Sequence, residues 1–235
     1  EFDNGEKAIT HIPNEKSKIG GVEKLDKDGN VKEIILNNPN KNLKTHVKYN
    51  ENSTEITTEH TGDNASWGKT TKKIQKDVNG FEYISKYEKT RPDGYKETYN
   101  TKLDNFGIPK EISGQIKFSE KDLQGRPHNL KETTYTFGLE PQNDYSGKYF
   151  NPYNKTMQMK TTNGETLDYN FAKSDNYNTK KGKLNSITLT DAKGFQRQLE
   201  SDSRYFYNNF EYSRVDNLDN GINYTKPGNW FRRND

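Results

Sequence analysis

The sequence predicts an all-β protein, an antiparallel meander of short hairpins forming an extended or sandwich-like sheet with a solvated face. Three observations predict it. Asp-x-x-Gly turns recur along the chain: Asp26 with Gly29, Asp77 with Gly80, Asp104 with Gly107, Asp122 with Gly125, Asp144 with Gly147 and Asp191 with Gly194. Short segments between them alternate aromatic or aliphatic residues with polar ones, as in Phe81, Tyr83, Tyr87 and Tyr95, Tyr99. Ala, the best helix former, occurs only 4 times.

The turn signal has a physical basis. Asp accepts backbone N–H bonds at the start of a type I turn, and Gly adopts the left-handed conformation that closes a three-residue hairpin loop. Gly80, Gly94, Gly125 and Gly194 are therefore expected at positive φ. This geometry sets a register. Ile74 falls opposite Ile84, Lys76 opposite Glu82, Tyr87 opposite Tyr99, Lys89 opposite Glu97, Tyr83 opposite Leu103, Phe118 opposite Leu130 and Ile187 opposite Leu199. Apolar meets apolar and opposite charges meet, as cross-strand pairs require. The scheme fails around Asp104, where Asn100 would face Ile112 and Lys102 would face Lys110; a longer loop or a break at Pro109 is expected there.

Taken in order, strands are expected over 31–36, 43–49, 55–59, 70–76, 81–87, 95–99, 115–118, 131–137, 156–160, 166–171, 185–190 and 195–200. The segment 1–18 reads as irregular, 19–138 as a β-meander unit, 139–154 as a loop or boundary, 155–216 as a second β unit and 217–235 as an irregular tail. Pro141, Gly147 and Pro152 argue for the boundary. Residues 202–212, dense in aromatics, read as a short helix or a strand, with a strand pair favoured.

Composition narrows the function classes. Leu, Ile, Val and Phe make up 41 of 235 residues and mean hydropathy is -1.30, yet 37 basic against 34 acidic residues leave a net charge of only +3. With 15 Tyr and 11 Phe, the chain reads as folded around a thin aromatic core rather than as disordered. The balanced charge argues against nucleic acid as a partner. No apolar run is long enough for a membrane-spanning helix. Cys is absent, which excludes disulfides and thiolate chemistry. The 30 Lys and 29 Asn read as an AT-rich genome's codon bias.

Leu25-Asp26-Lys27-Asp28-Gly29-Asn30 and Leu103-Asp104-Asn105-Phe106-Gly107-Ile108 resemble bacterial YD-type repeats, whose short strands are punctuated by Asp-x-x-Gly turns. The Tyr expected before Asp is missing, and successive turns are spaced 51, 27, 18, 22 and 47 residues apart. The resemblance therefore implies shared hairpin chemistry and not kinship. The Lys-rich meander is also similar to the sheets of spirochaete surface lipoproteins.

Candidate chemistry is sparse. His11, His46, His60 and His128 form no metal-binding spacing. The stretch 26–30 resembles a calcium loop, but Lys27 and strand-like flanks favour a hairpin turn. No nucleophile elbow, phosphate loop or dinucleotide fingerprint occurs, so no catalytic residue, metal or cofactor is assigned. Four Asn-x-Ser/Thr sequons lie at Asn52, Asn64, Asn154 and Asn223.

Aromatics are the one suggestive feature. Trp67 follows a polar stretch, and Trp230 and Phe231 precede Arg232 and Arg233; all fall outside the alternating pattern. Trp and Arg dominate binding hot spots, so these five residues are the expected contact surface. The resulting expectation is a non-enzymatic, secreted or surface-exposed protein, its leader removed, that binds a protein or glycan or self-associates through its sheet edges. The alternatives are a carbohydrate-active enzyme or its sugar-binding module, and a half-barrel resembling lipid carriers.

Overall fold

The computed structural model describes residues 5–14, 18–121, 125, 127, 129–144, 147–172 and 183–199. They form fourteen strands: β1 (Lys7–His11), β2 (Gly20–Leu25), β3 (Val31–Asn38), β4 (Leu43–Asn50), β5 (Ser53–His60), β6 (Lys69–Lys76), β7 (Glu82–Thr90), β8 (Lys96–Leu103), β9 (Pro109–Lys117), β10 (Leu130–Asp144), β11 (Gly147–Thr161), β12 (Thr166–Ala172), β13 (Lys183–Thr190) and β14 (Gln196–Leu199). Each pairs antiparallel with its sequence neighbours in one open sheet ordered β1 to β14. Two short 3-10 turns, Pro39–Lys41 and Gly62–Trp67, are the helical elements among the described residues.

The turns follow the local chemistry closely. Asp77 Oδ1 accepts from the N–H groups of Asn79 at 2.9 Å and Phe81 at 2.8 Å, while Gly80 N–H donates to the Asp77 carbonyl at 3.0 Å. Asp26, Asp104 and Asp191 repeat the arrangement. Gly80, Gly94, Gly125 and Gly194 have φ of 79°, 93°, 79° and 90°.

Register departs from the turn-based expectation where one strand carries an extra residue. Lys110 bulges from β9, so Lys102 pairs with Glu111 and Asn100 with Ser113. This resolves the misfit around Asp104: the loop keeps its length, and the bulge beside Pro109 shifts the ladder by one. Ser85 bulges from β7, and β7–β8 pairing stops at Lys86 with Asn100, so Tyr83 and Leu103 are not partners. Phe118 N–H donates to the Lys131 carbonyl at 3.1 Å, one residue away from the expected Leu130.

Directly paired residues share a face, so the ladder can be followed across the sheet. One row runs Glu23, Ile34, Val47, Ile56, Lys72, Tyr87, Tyr99, Gly114, Tyr135, Met157, Tyr169, Ile187. Most of its members are buried and belong to the core. The adjacent row, on the opposite face, runs Lys24, Glu33, Lys48, Glu55, Lys73, Lys86, Asn100, Ser113, Thr136, Thr156, Asn170, Ser186. It is polar throughout, the pattern of an antiparallel sheet with one solvated face.

The sheet stays open but bends far enough for β11 to reach β7. β9 pairs with β10 only as far as Gly138, and β12 meets β11 only from Thr156 onwards. Pro109, which lacks an N–H, stands where the β9 ladder ends. Beyond those points β10 and β11 continue as a two-stranded arm. The arm brings Phe150 onto the start of β7, with ring centroids 5.5 Å from Phe81 and 6.4 Å from Tyr83. Phe150, Tyr83 and Leu139 are all buried there.

The structure revises the sequence-based boundaries. Residues 139–154 are paired strand and not loop, because the ladder outlasts Pro141 and Pro152: each faces a partner across the ribbon, Phe150 and Leu139 respectively. The segment 1–18 contains β1, whose pairing with β2 was invisible in its weak alternation. Among the described residues one sheet runs through both expected β units. The expected strand pair at 202–212 and the tail lie outside the described residues.

Candidate functional site

Trp67 lies in the β5–β6 connection, where local hydrogen bonds fix a 3-10 turn. Asn64 N–H donates to the Thr61 carbonyl at 3.1 Å, Gly68 N–H to Ala65 at 3.0 Å, and His60 N–H to Gly68 at 2.9 Å. The neighbouring β3–β4 turn supports the loop: Thr61 N–H donates to the Asn42 carbonyl at 2.7 Å, and the Asn42 side chain lies against Gly62. On its other flank, Gly68 takes φ of 77° and sits so close to the Thr90 carbonyl that a Cβ would overlap it; the same Cβ would lie 2.8 Å from Arg91 Cα. Three connections at one end of the sheet are thus packed side by side.

Trp67 is 54% exposed on this support. Its ring centroid lies 6.2 Å from that of His60, tilted by 41°. His60 Nδ1 is buried without a hydrogen-bond partner. The exposed residues around Trp67 in the loop are Gly62, Asp63, Ala65, Ser66 and Lys69.

The next connection along, β7–β8, carries a polar aromatic cluster. Arg91 Cζ stands 4.1 Å over the Tyr95 ring, and Tyr95 meets Phe118 edge-on at 6.2 Å. Tyr95 Oη donates to Glu97 Oε2 at 3.1 Å, and Tyr135 Oη to Glu97 Oε1 at 3.2 Å. Burial, reinforced by the Glu97 charge, pushes both phenols well above their ordinary range. They are therefore held protonated as donors, an arrangement that ties β8 to β10 and places no activated nucleophile.

Other sequence candidates resolve as structural contacts. His46 Nε2 bonds Glu33 Oε1, and Lys24 Nζ lies 2.5 Å from Glu33 Oε2. Asp26 Oδ1 is taken up by N–H groups of its own turn, as a hairpin requires. Among the described residues no cluster of three His, Asp or Glu could hold a metal ion. Among the sequons, Asn52 is exposed, Asn64 half-buried and Asn154 buried. Trp230, Phe231, Arg232, Arg233, His128 and Asn223 lie outside the described residues.

Sequence reasoning missed a second exposed feature. Val78, Leu103 and Phe106 are 74%, 46% and 79% exposed at the end of the sheet opposite Trp67. The β6–β7 and β8–β9 turns adjoin there, since a Cβ on Gly107 would lie 3.7 Å from Val78 Cγ1. The signal was present: Val78 and Phe106 are central residues of Asp-x-x-Gly turns, positions that point away from the sheet.

Fold and site together define a single-sheet antiparallel β-meander protein with an exposed tryptophan on a braced loop. No family profile and no curated protein sequence matches the chain. Among solved structures, a porin-like protein from Bacteroides uniformis matches 83% of this chain and 92% of its own, with 9% identity and a TM-score of 0.24. A superposition that loose carries no conclusion about architecture or function. Among the described residues no helix is long and apolar enough to cross a membrane.

Proposed function

We propose that this chain is a non-enzymatic, secreted or surface-exposed protein that works by contact, binding a protein or glycan partner through Trp67. Trp230, Phe231, Arg232 and Arg233 are proposed to contribute to the same work, and the sheet edges at β1 and β14 to offer a route to self-association. The observation that carries this reading is Trp67 itself, a large apolar side chain kept half in solvent on a hydrogen-bonded loop. Burying it would remove apolar surface from water; left out, it forgoes that gain, which a partner covering the ring would recover.

The test is capture by the immobilised full chain, from extracellular proteins and on a glycan array, compared with Trp67→Ala. The expected result is a partner lost in the variant while far-UV circular dichroism is unchanged. Turnover of a polysaccharide, abolished by replacing one carboxylate and untouched by replacing Trp67 or Trp230, would overturn the reading.

A further inference from the structure

We infer that the Trp67 loop is a carbohydrate-stacking site that takes the apolar face of a neutral, equatorially linked pyranose chain; this rests on the contact role proposed for Trp67. The argument begins with what surrounds the ring. A protein-binding hot spot sits in an apolar, well-packed centre and is sealed by neighbouring contacts over a standard interface of roughly 1,200–2,000 Å². Around Trp67 the exposed loop residues are Gly62, Asp63, Ala65, Ser66 and Lys69, so Ala65 supplies one methyl group and the rest is polar or bare backbone. The opposite end of the sheet shows the contrasting case, where Val78, Leu103 and Phe106 gather.

A pyranose matches the Trp67 surroundings. In an all-equatorial ring the axial C–H groups lie above and below, so both ring faces are flat, apolar and of the size of an indole, and the hydroxyls at the edge need hydrogen-bonding groups at the rim. Successive units of a β-1,4 chain are flipped, and equatorial linkage leaves one or other apolar face open on every unit. Asp63 and Ser66 offer acceptors and a hydroxyl, and Lys69 a donor. Asp63 and Glu59, the cross-strand partner of Lys69, are both exposed acids against the one Lys69 cation, which disfavours an acidic ligand. The brace supplies the remaining element. With Gly68 seated on the Thr90 carbonyl and Thr61 bonded to Asn42, the backbone that carries the ring is positioned before binding, so the ordering cost of the loop itself does not oppose a weak stacking contact.

The experiment is NMR titration of the full chain with cellohexaose and with chitohexaose, following the indole N–H signals. Trp67→Phe identifies which signal belongs to Trp67. The expected result is a saturable shift of the Trp67 signal with at least one of the two sugars. Trp67→Ala should weaken the affinity by about tenfold, and Trp67→Tyr should retain most of it. Circular dichroism and the remaining amide signals report whether each variant keeps its fold. A Trp67 signal unmoved by either sugar overturns the inference, and so does binding that survives Trp67→Ala. If Trp67→Ala abolishes capture of a protein partner while both sugars leave the signal unmoved, the sugar inference fails and the contact role stands.

Discussion

In β2 to β6 the buried row is aliphatic at its centre, with Ile34, Val47 and Ile56 in line between Glu23 and Lys72, and the opposite face carries Lys24, Glu33, Lys48, Glu55 and Lys73 in alternating charge. In β8 to β13 the same two rows read Tyr99, Gly114, Tyr135, Met157, Tyr169, Ile187 and, opposite, Asn100, Ser113, Thr136, Thr156, Asn170, Ser186. The backbone geometry is shared and the means of holding register differs. In the first half each Glu lies between two Lys, and a slip along the ladder would lose those pairs. Hydroxyls and amides tolerate a slip, so in these two rows the second half uses size, beside the Lys102–Glu111 and Lys160–Glu132 ion pairs that it also carries. Gly114 lies between Tyr99 and Tyr135, and the Tyr135 ring occupies the place its Cβ would take. Gly138 and Tyr153 repeat the device on the opposite face, one strand further on.

The comparison breaks hardest at Phe150, which packs the β10–β11 arm onto the start of β7. Phe150→Ala should destabilise the protein by about 3–5 kcal/mol, the usual cost of emptying a buried aromatic site. Amide exchange should accelerate along β7 and the distal ends of β10 and β11, with β3 to β5 much less affected. Uniform acceleration over the whole sheet would show that the halves do not differ in how they are held.

Gly114→Val probes the size-based register directly. The added side chain would displace Tyr135 and the hydrogen bond it donates to Glu97. A loss of about 1–3 kcal/mol is expected from overpacking, read as a lower urea midpoint. An unchanged midpoint would remove Gly114 as a register device.

The smallest effect is expected at Glu33. Its burial raises the carboxyl pKa, but hydrogen bonds from Lys24 and His46 outweigh this and hold it below the ordinary 4.5. A carboxyl depressed on folding contributes stability above its unfolded pKa and loses it as pH falls through the folded value. Glu33→Gln should therefore cost under about 1 kcal/mol near neutral pH and flatten the loss of stability on acidification below about pH 4.5. Parallel acid curves for the variant and the original chain would show that the charged row contributes nothing to the first half.

Much of this molecule was legible in the sequence because its turns are local. An Asp side chain reaches N–H groups two and four residues on, and the Gly that follows supplies the left-handed backbone, so each hairpin is specified within a handful of positions. Register could be counted outwards from the turns, and Ile74 with Ile84, Tyr87 with Tyr99 and Ile187 with Leu199 pair as counted. Trp67 stood out because it broke the alternation, and the structure holds it at the surface.

The bulges at Ser85 and Lys110, the long ladder through Pro141 and Pro152, and the contact of Phe150 with Phe81 and Tyr83 were decided only in three dimensions. A bulge is stabilised by which pairs it brings together further along the strand, as Lys102 meets Glu111 only once Lys110 is passed over. The arm is held down by aromatic burial between strands that are not sequence neighbours. The brace behind Trp67 likewise depends on Gly68 meeting Thr90 and Asn42 meeting Thr61 across separate connections. Alternation and turn residues encode hairpins one at a time; the bend that brings distant hairpins together is set by packing between them.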